Sequence, residues 1–267
     1  MTPTDPIIRL ENVYTAYEGS DRPTLTDISF SVGRGEFVVV GGPNGAGKTT
    51  LLETINGMLP ITHGTATVCG HDVRNEGVRV RCRVGYLLQN FAFDPLTPFT
   101  VEEVVLMGRF GRIGLIRKPG KEDHEAVEKA LHLLGIEDLA RRPIGHLSGG
   151  QQQKVLLAQN LARDPQVLLL DEPFSNLDMF ARESINKLLS RLVASGIAVV
   201  IVSHAFDDLP DCRVRVVVMH DGRISLDREC LPADVGQVDG RISLDRECLP
   251  ADVGQVIRHA GSAPCYA

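Results

Sequence analysis

The most informative part of the sequence is Gly42-Pro43-Asn44-Gly45-Ala46-Gly47-Lys48-Thr49. Before it runs Phe37-Val38-Val39-Val40, which predicts a buried strand, and after it runs Thr50-Leu51-Leu52-Glu53-Thr54-Ile55, which has the apolar spacing of a helix. The pattern G-x-x-x-x-G-K-[ST] between a strand and a helix is typical of a phosphate-binding loop. Glycines let such a loop turn tightly and point its N–H groups at phosphate oxygens. We therefore expect this stretch to hold the phosphates of a nucleotide.

The side chains around the loop predict further contacts with that nucleotide. Lys48 can reach the β- and γ-phosphates, and the hydroxyl of Thr49 can take a place on Mg²⁺. Tyr17 has an aromatic face on which a purine ring can stack, with Tyr14 as the rival candidate. The residues predicted to bind the nucleotide are Tyr17, Gly42, Pro43, Asn44, Gly45, Ala46, Gly47, Lys48, Thr49 and Thr50.

Length and composition restrict the class of protein. The 267 residues, 43% of them hydrophobic, fit one large domain or two small ones. No apolar run is long enough to cross a membrane, and the first residues resemble no signal peptide, so we expect a soluble, cytosolic chain. The net charge of −6 argues against a broad surface for nucleic acid. The six cysteines form no C-x-x-C pair, and we interpret Cys69, His71 and Cys82 as packed or solvated residues rather than as a metal site.

The chain before residue 147 alternates between strand and helix patterns. Residues 7–17 and 24–32 predict an antiparallel β region, and residues 65–74 and 83–88 predict further strands, the last of which leads to Gln89. Residues 91–100 predict a loop, and helical spacing begins at Val101. The clearest amphipathic helix runs from Glu122 to Leu134, with Ala126, Ala130, Leu133 and Leu134 predicted to face inward. Residues from about 91 to 147 thus predict a mostly helical insert.

A second anion-binding helix terminus is predicted at Leu147-Ser148-Gly149-Gly150-Gln151. An apolar-periodic run follows to about Arg163, and Ser148 is a natural N-cap for that helix. The two glycines leave backbone N–H groups uncovered at the start of the helix.

Residues 166–172 predict a buried parallel strand that ends in two carboxylates. Asp171 stands where a nucleotide hydrolase holds Mg²⁺, and Glu172 is placed to orient or deprotonate an attacking water. Residues 175–178 predict a turn and the start of a helix, and the strand at 197–202 ends at Ser203-His204. A histidine at the carboxyl end of such a strand lies where open α/β sheets bind ligands and can reach a γ-phosphate.

Together these residues resemble the ATP-binding-cassette (ABC) ATPase family over about residues 7–226. Residues 42–49 are similar to its Walker A loop, Gln89 to the Q-loop and Leu147–Gln151 to the signature sequence. Residues 167–172 are similar to Walker B, 175–178 to the D-loop and His204 to the switch histidine. The resemblance implies an α/β fold with a P-loop NTPase (RecA-like) core, an antiparallel β subdomain and a helical ABC-specific insert. We expect this domain at residues 7–238 and a C-terminal tail at 239–267.

The same resemblance implies an ATP hydrolase that uses ATP and Mg²⁺. It implies catalytic roles for Glu172, His204 and Gln89 and magnesium ligands at Thr49, Gln89 and Asp171. It also implies a head-to-tail homodimer, in which Ser148, Gly149, Gly150 and Gln151 face the partner's ATP and Asp178 lies at the dimer contact. The cassette would dock through the Q-loop and the helical insert on integral-membrane permease subunits at the cytoplasmic face of the membrane. An extracytoplasmic substrate-binding protein would be an indirect partner, and no nucleic acid is expected.

The substrate is indicated less directly. Residues 101–112, Val-Glu-Glu-Val-Val-Leu-Met-Gly-Arg-Phe-Gly-Arg, resemble the zinc/manganese branch of bacterial uptake cassettes, whereas iron-siderophore and cobalamin cassettes have related Gly-Arg segments. A non-transport ABC ATPase that acts as a switch or assembly scaffold is a second alternative. A P-loop kinase is a third, but it has no use for Leu-Ser-Gly-Gly-Gln.

Residues 221–238 recur without change as residues 239–256. An 18-residue tandem copy is too short for a solenoid, and we interpret it as a recent in-frame duplication or a sequence artefact. Asp221-Gly222 predicts a hairpin turn after the strand at 214–219. The second copy follows residues 232–236, which we expect to offer no strand partner. Residues 239–267 are therefore predicted to lie outside the core and to be dispensable.

Overall fold

The structure is a computed structural model that describes residues 5–19, 22–89, 93–114, 116–175, 177–203, 210, 212–230, 235–238 and 241–244. The strands are β1 Ile8–Thr15, β2 Leu25–Val32, β3 Phe37–Gly41, β4 Ile61–Val68, β5 His71–Asp72, β6 Val84–Leu87, β7 Val167–Asp171, β8 Ala198–Val202, β9 Val214–His220, β10 Arg223–Cys230, β11 Val235–Val238 and β12 Arg241–Leu244. The α-helices are α1 Lys48–Ile55, α2 Val73–Arg81, α3 Val101–Met107, α4 Phe110–Ile113, α5 Lys121–Leu134, α6 Gly149–Ala162 and α7 Met179–Ala194.

A six-stranded sheet in the order β10-β9-β3-β8-β7-β6 forms the centre of the fold. Its strands are parallel except for β10, which pairs antiparallel with β9 at one edge. The interior strands β3, β7 and β8 are buried along their whole length, which explains their uninterrupted apolar sequences. Because β3 and β7 are parallel members of one sheet, their carboxyl ends lie at the same edge. Gly41, just before the phosphate-binding loop, and Asp171 therefore lie at one edge.

Two apolar layers cover the two faces of this sheet. Successive residues of β3 point to opposite faces, so Phe37 and Val39 belong to one layer and Val38 and Val40 to the other. The first layer is completed by α3, α5, α6 and α7. The second is completed by α1 and by a four-stranded antiparallel sheet in the order β2-β1-β4-β5. The predicted antiparallel region and α/β core are confirmed.

The insert at residues 91–147 is mostly helical, as predicted, but α5 buries a different face from the predicted one. The buried residues of α5 are Val127, Ala130, Leu131 and Leu134, whereas Leu133 is 38% exposed. Positions 127, 130, 131 and 134 form one stripe at helical spacing, and Leu133 lies about a quarter turn outside it. The inward orientation predicted for Leu133 is therefore wrong.

A short helix replaces the end of the strand predicted at residues 65–74. Strand β4 ends at Val68, Cys69 and Gly70 turn the chain with positive φ, and α2 begins at Val73. Asp72 caps α2 by accepting a hydrogen bond from the N–H of Asn75 at 2.9 Å. The prediction of strand at residues 73 and 74 is wrong because the capping aspartate favours a helix start.

The turn that begins the repeated sequence contacts the phosphate-binding loop. Asp221 and Gly222 have φ values of 47° and 72° and close the β9–β10 hairpin, as predicted. The N–H of Gly222 donates to the carbonyl of Ala46 at 3.1 Å. A side chain at Gly222 would overlap with the carbonyl of Thr24, so this position needs glycine.

The second copy of the repeat does find a strand partner. Strand β12, from that copy, pairs antiparallel with β11, the end of the first copy, in a sheet of its own. The expectation that residues 232–236 offer no partner is therefore wrong for Val235 and Gly236. The sequence between these two strands is again Asp-Gly, the pair that separates β9 from β10.

Among the helices that the structure describes, none has both the length and the apolar character needed to span a bilayer.

Candidate nucleotide-binding site

The phosphate-binding loop is held in shape by glycines with positive φ. Gly42, Gly45 and Gly47 have φ values of 134°, 79° and 93°. A side chain at Gly42 would overlap with the carbonyl of Met219 in β9, so only glycine allows the loop to approach that strand. Gly47 is the N-cap of α1, and the loop thus leads its N–H groups to the positive end of a helix.

The Lys48 ammonium group lies over the loop. Nζ donates to the carbonyls of Gly42 and Pro43, each at 2.9 Å, and the side chain is buried. Burial lowers the pKa of Lys48, and the nearby Glu172 and Asp171 carboxylates act in the opposite direction. Among the described residues the ammonium group donates to these two carbonyls alone, and a buried ammonium group gains from an anion such as a phosphate.

Thr49 and Asp171 join the loop to the end of β7. The Thr49 hydroxyl donates to Oδ2 of Asp171 at 2.7 Å, whereas Oδ1 is buried without a hydrogen-bond partner among the described residues. Burial raises the pKa of Asp171. Gln89 lines the same cavity, so its side-chain amide can add an oxygen donor to the Thr49 hydroxyl and the Asp171 carboxylate. Such hard oxygen donors, one of them unpaired, fit Mg²⁺.

A cavity of about 400 Å³ brings nine of the predicted residues together, whereas Tyr17, Gly42, Pro43 and Ala46 are not among its lining residues. It is lined by Thr24, Asn44, Gly45, Gly47, Lys48, Thr49, Thr50, Gln89, Asp171, Glu172 and Val202. Glu172 follows β7 with a φ of 48°, and its N–H donates to the carbonyl of Val202 at 3.0 Å. This bond fixes the backbone beside Asp171 although the left-handed conformation is unfavourable for a glutamate. Thr24 also lines the cavity, although no sequence pattern singled it out.

The structure separates the two tyrosines that compete for the role of base platform. The hydroxyl of Tyr17 contacts Thr50 Oγ1 at 3.2 Å and donates to Glu53 Oε2 at 2.7 Å. Tyr14 instead meets the ring of His63 edge-on, with 5.5 Å between centroids. Tyr17 is thus the tyrosine beside the start of α1, and its stacking role stays a prediction. Glu53 was not foreseen, although it lies one helical turn beyond Thr49 and Thr50.

A tyrosine that was not foreseen, Tyr86, lies near the magnesium-binding candidates. The Tyr86 hydroxyl, on β6, is buried and has no hydrogen-bond partner among the described residues. Burial raises the pKa of Tyr86, and the carboxylates of Asp171 and Glu53 raise it further. The phenol therefore stays neutral beside these carboxylates.

Ser148 caps α6 as predicted. Its Oγ accepts from the N–H of Gln151 at 3.4 Å, and its own N–H donates to Oε1 of Gln151 at 3.1 Å. Ser148 and Gly149 are exposed, and residues 148–151 do not line the cavity of their own chain. Asp178 caps α7 by accepting from the N–H of Ala181 at 2.8 Å. His204 lies outside the described residues.

Gln152 is a buried residue that sequence reasoning missed. Its Nε2 donates to the carbonyls of Ile144 and Leu147 at 3.3 and 3.2 Å, and its Oε1 accepts from the N–H of Phe93 at 3.1 Å. It thereby ties the segment after Gln89 to the segment that precedes Ser148. A run of three glutamines at 151–153 gave no sign of which one would be buried.

Comparison with known proteins decides the family. The family model described as ABC transporter matches residues 25–175. The chain belongs to the ABC transporter family. Of the curated relatives of this cassette, the manganese transport system ATP-binding protein MntB of Bacillus subtilis (strain 168) is 38% identical over 218 residues, which are 82% of this chain and 85% of that protein.

Another relative and a solved structure agree with this assignment. The zinc transport system ATP-binding protein TroB of Treponema pallidum (strain Nichols) is 35% identical, over 80% of this chain and 78% of that protein. A dimeric ATP-binding cassette in a post-hydrolysis state, bound to ADP and Pi, is similar with a TM-score of 0.71 and 29% identity. The match covers 84% of this chain and 98% of that one. The predicted family, fold class and enzyme class, an ATP hydrolase, are confirmed.

Proposed function

We propose that this cassette hydrolyses ATP with Mg²⁺ to drive the uptake of a metal ion, zinc or manganese, through a separate permease. The observation that carries the proposal is the single cavity in which Lys48, Thr49, Gln89, Asp171 and Glu172 meet. The metal is supported by the relatives named as manganese and zinc transport ATP-binding proteins.

The residues of the cavity divide the work of binding and hydrolysis. The N–H groups of residues 42–50 hold the phosphates, and Lys48 leaves the two loop carbonyls to contact the β- and γ-phosphates. Thr49, Asp171 and Gln89 would hold Mg²⁺, which neutralises charge that develops on the phosphates. The Thr49 hydroxyl can donate to Asp171 and still offer an oxygen lone pair to Mg²⁺, so the hydrogen bond between them is compatible with a loaded site. Glu172 orients or deprotonates the attacking water, and His204 contacts the γ-phosphate.

The nucleotide site is completed by a second copy of this chain. Residues 148–151 start α6 on an exposed surface and do not line their own cavity, which supports a role toward the partner's ATP. Asp178, which is exposed at the start of α7, takes part in the same dimer contact. The similar cassette bound to ADP and Pi is dimeric.

The other partners of the cassette lie in and beyond the membrane. The helical insert and Gln89 contact permease subunits at the cytoplasmic face, and an extracytoplasmic substrate-binding protein acts through that permease. Support comes from the relatives, which are named as parts of transport systems. The ATPase domain spans residues 7–238, with the insert at about 91–147 and a tail at 239–267. The β11–β12 hairpin straddles the boundary between domain and tail.

The Gly-Arg segment supports the substrate assignment less than the relatives do. Arg109 is buried, pairs with Asp123 at 2.8 Å and donates to the carbonyl of Ala162 at 3.1 Å. A side chain at Gly108 would overlap with the carbonyl of Gln159. These contacts join α3, α5 and α6, so Gly108 and Arg109 are explained by packing of the insert whatever the substrate is.

Uptake measurements test the proposed function. A strain without this gene is complemented with wild type or with Glu172→Gln, and cellular manganese, zinc and iron are measured by mass spectrometry after growth in chelated medium. We expect wild type alone to restore manganese or zinc. Restoration of iron only, or equal restoration by Glu172→Gln, would contradict the proposal.

A further inference from the structure

The hydroxyl of Tyr17 is anchored at two points on α1. It donates to Oε2 of Glu53 at 2.7 Å and lies 3.2 Å from Oγ1 of Thr50. Burial raises the pKa of the Tyr17 phenol, and the Glu53 carboxylate raises it further, so the hydroxyl stays protonated and can donate. Thr50 is buried in the first turn of α1, directly after the phosphate-binding loop. The anchor therefore fixes the tyrosine beside the place where a nucleotide's phosphates would lie.

The backbone alone does not fix this side chain. The strand β1 ends at Thr15, whose Oγ1 donates to the carbonyl of Pro60 at 2.5 Å and whose own carbonyl accepts from the N–H of Thr24 at 2.8 Å. Tyr17 lies two residues beyond that end, and 43% of its surface is exposed. A half-exposed aromatic side chain on a loop samples several rotamers unless a contact selects one. The bond to Glu53 supplies that contact, although 43% of the residue remains exposed.

We infer that Glu53 is a positioning residue for the nucleotide base: it holds Tyr17 with its ring presented to a purine before the nucleotide arrives. The inference rests on the proposed function, because it needs a nucleotide on the phosphate-binding loop. A side chain that is ordered beforehand does not lose its rotamer freedom on binding, and this raises affinity. An aromatic face accepts any base, so the gain is expected for ATP and GTP alike.

Four variants and three ligands test the inference. The variants are Tyr17→Phe, Glu53→Ala, Glu53→Gln and the double variant Tyr17→Phe/Glu53→Ala, and the ligands are ATP, GTP and inorganic tripolyphosphate, titrated by calorimetry. Glu53→Gln is the matched control, because it removes the charge as Glu53→Ala does but keeps an oxygen that accepts from the phenol. The ratio of the Kd values of Glu53→Ala and Glu53→Gln therefore measures the effect of the hydrogen bond separately from the effect of the charge.

We expect the Kd for ATP and for GTP to be about three- to tenfold higher in Glu53→Ala than in Glu53→Gln. Tyr17→Phe should raise both constants by a similar factor in the wild-type background and have no further effect in Glu53→Ala. Tripolyphosphate has no base, so its Kd should not differ between Glu53→Ala and Glu53→Gln. Thermal unfolding of each variant without ligand checks that the fold is unchanged.

Several results would overturn the inference. Equal ATP affinity of Glu53→Ala and Glu53→Gln would show that the hydrogen bond does not matter, and fully additive effects would show that the two residues act separately. A parallel loss of tripolyphosphate affinity would assign the pair to the shape of the phosphate-binding loop instead. If wild type binds none of the three ligands, the proposed function fails as well, and this outcome is distinct from the others.

Discussion

Thr49 donates its hydroxyl hydrogen bond directly to Asp171, 2.7 Å away, and thereby closes the gap between the start of α1 and the end of β7. Asp171 is 2% exposed, and its second oxygen has no hydrogen-bond partner among the described residues. A buried carboxylate with a single partner depends strongly on that partner. The oxygen of Thr49 and Oδ1 of Asp171 would stay available to Mg²⁺ with this bond in place, so the pair stabilises the empty site and would form part of the loaded one.

Thr49→Val should therefore lower the free energy of unfolding of the nucleotide-free protein by about 1–3 kcal/mol, since Asp171 is left buried without a donor. The variant should also lose ATP hydrolysis, because a ligand for Mg²⁺ is gone. Urea unfolding and phosphate release measure the two effects. Thr49→Ser keeps the hydroxyl and serves as the control, with a change of about 0.5 kcal/mol or less. A Thr49→Val protein as stable and as active as Thr49→Ser would refute the role given to this bond.

Glu172→Gln should bind ATP but turn it over at least about a hundredfold more slowly, because a neutral amide cannot take the proton from water. The stalled nucleotide should also hold two cassettes together. Phosphate release measures turnover, and light scattering after gel filtration with and without ATP measures the dimer. Normal hydrolysis in this variant would remove Glu172 from the catalytic role.

Lys48→Ala should weaken ATP binding roughly ten- to a hundredfold. A hydrogen bond from a charged donor contributes about 1.5–3 kcal/mol, which corresponds to a change in Kd of this size. Titration with a fluorescent ATP analogue measures the change. Lys187→Ala is the matched control, because Lys187 is 66% exposed and pairs with Glu183 on the surface of α7. Equal affinity in the two variants would count against the position assigned to Lys48.

Gly108→Ala should destabilise the fold by about 1–3 kcal/mol, because the added methyl group would overlap with the carbonyl of Gln159 and push α3 away from α6. Gly120→Ala is the control: its nearest neighbour is 3.9 Å away and its φ of −105° suits any residue. Urea unfolding compares the two proteins. Equal stability would mean that α3 and α6 do not pack as closely as described.

Deletion of residues 239–256 should leave ATPase activity within about twofold of wild type, because changes at chain termini are tolerated when they break no core contact. Strand β10, from the first copy, pairs with β9 in the main sheet, whereas β12 pairs only with β11 among the described strands. Steady-state phosphate release measures the effect. Loss of activity in this deletion would show that the second copy supports the ATPase domain.

The sequence predicted the nucleotide core because its signals are local. Buried strands such as β3 and β7 are continuous apolar runs, and residues 42–49 have a spacing that few other structures require. The carboxyl ends of parallel strands meet at one edge, so the approach of Asp171 to Thr49 could be expected as well.

Other features depend on tertiary packing and were missed. The face of α5 is an exception, because the helical spacing of Val127, Ala130, Leu131 and Leu134 could have excluded Leu133. Helix α2 has valines alternating with arginines at 78–81, a strand-like pattern, and Val78 is 67% exposed. Glu53 and Gln152 act through partners far away in sequence, which no local pattern reveals.

The position of the Asp221–Gly222 turn determines what happens to the protein if recombination removes one copy of the repeat. The turn is the start of the first copy of the repeat, and the hydrogen bond from the N–H of Gly222 to the carbonyl of Ala46 supports the phosphate-binding loop. Since the two copies are identical and adjacent, excision of either one yields the same polypeptide. Loss of one copy by recombination would therefore give a chain in which Asp-Gly still follows His220. The hydrogen bond to Ala46 of the phosphate-binding loop would be kept.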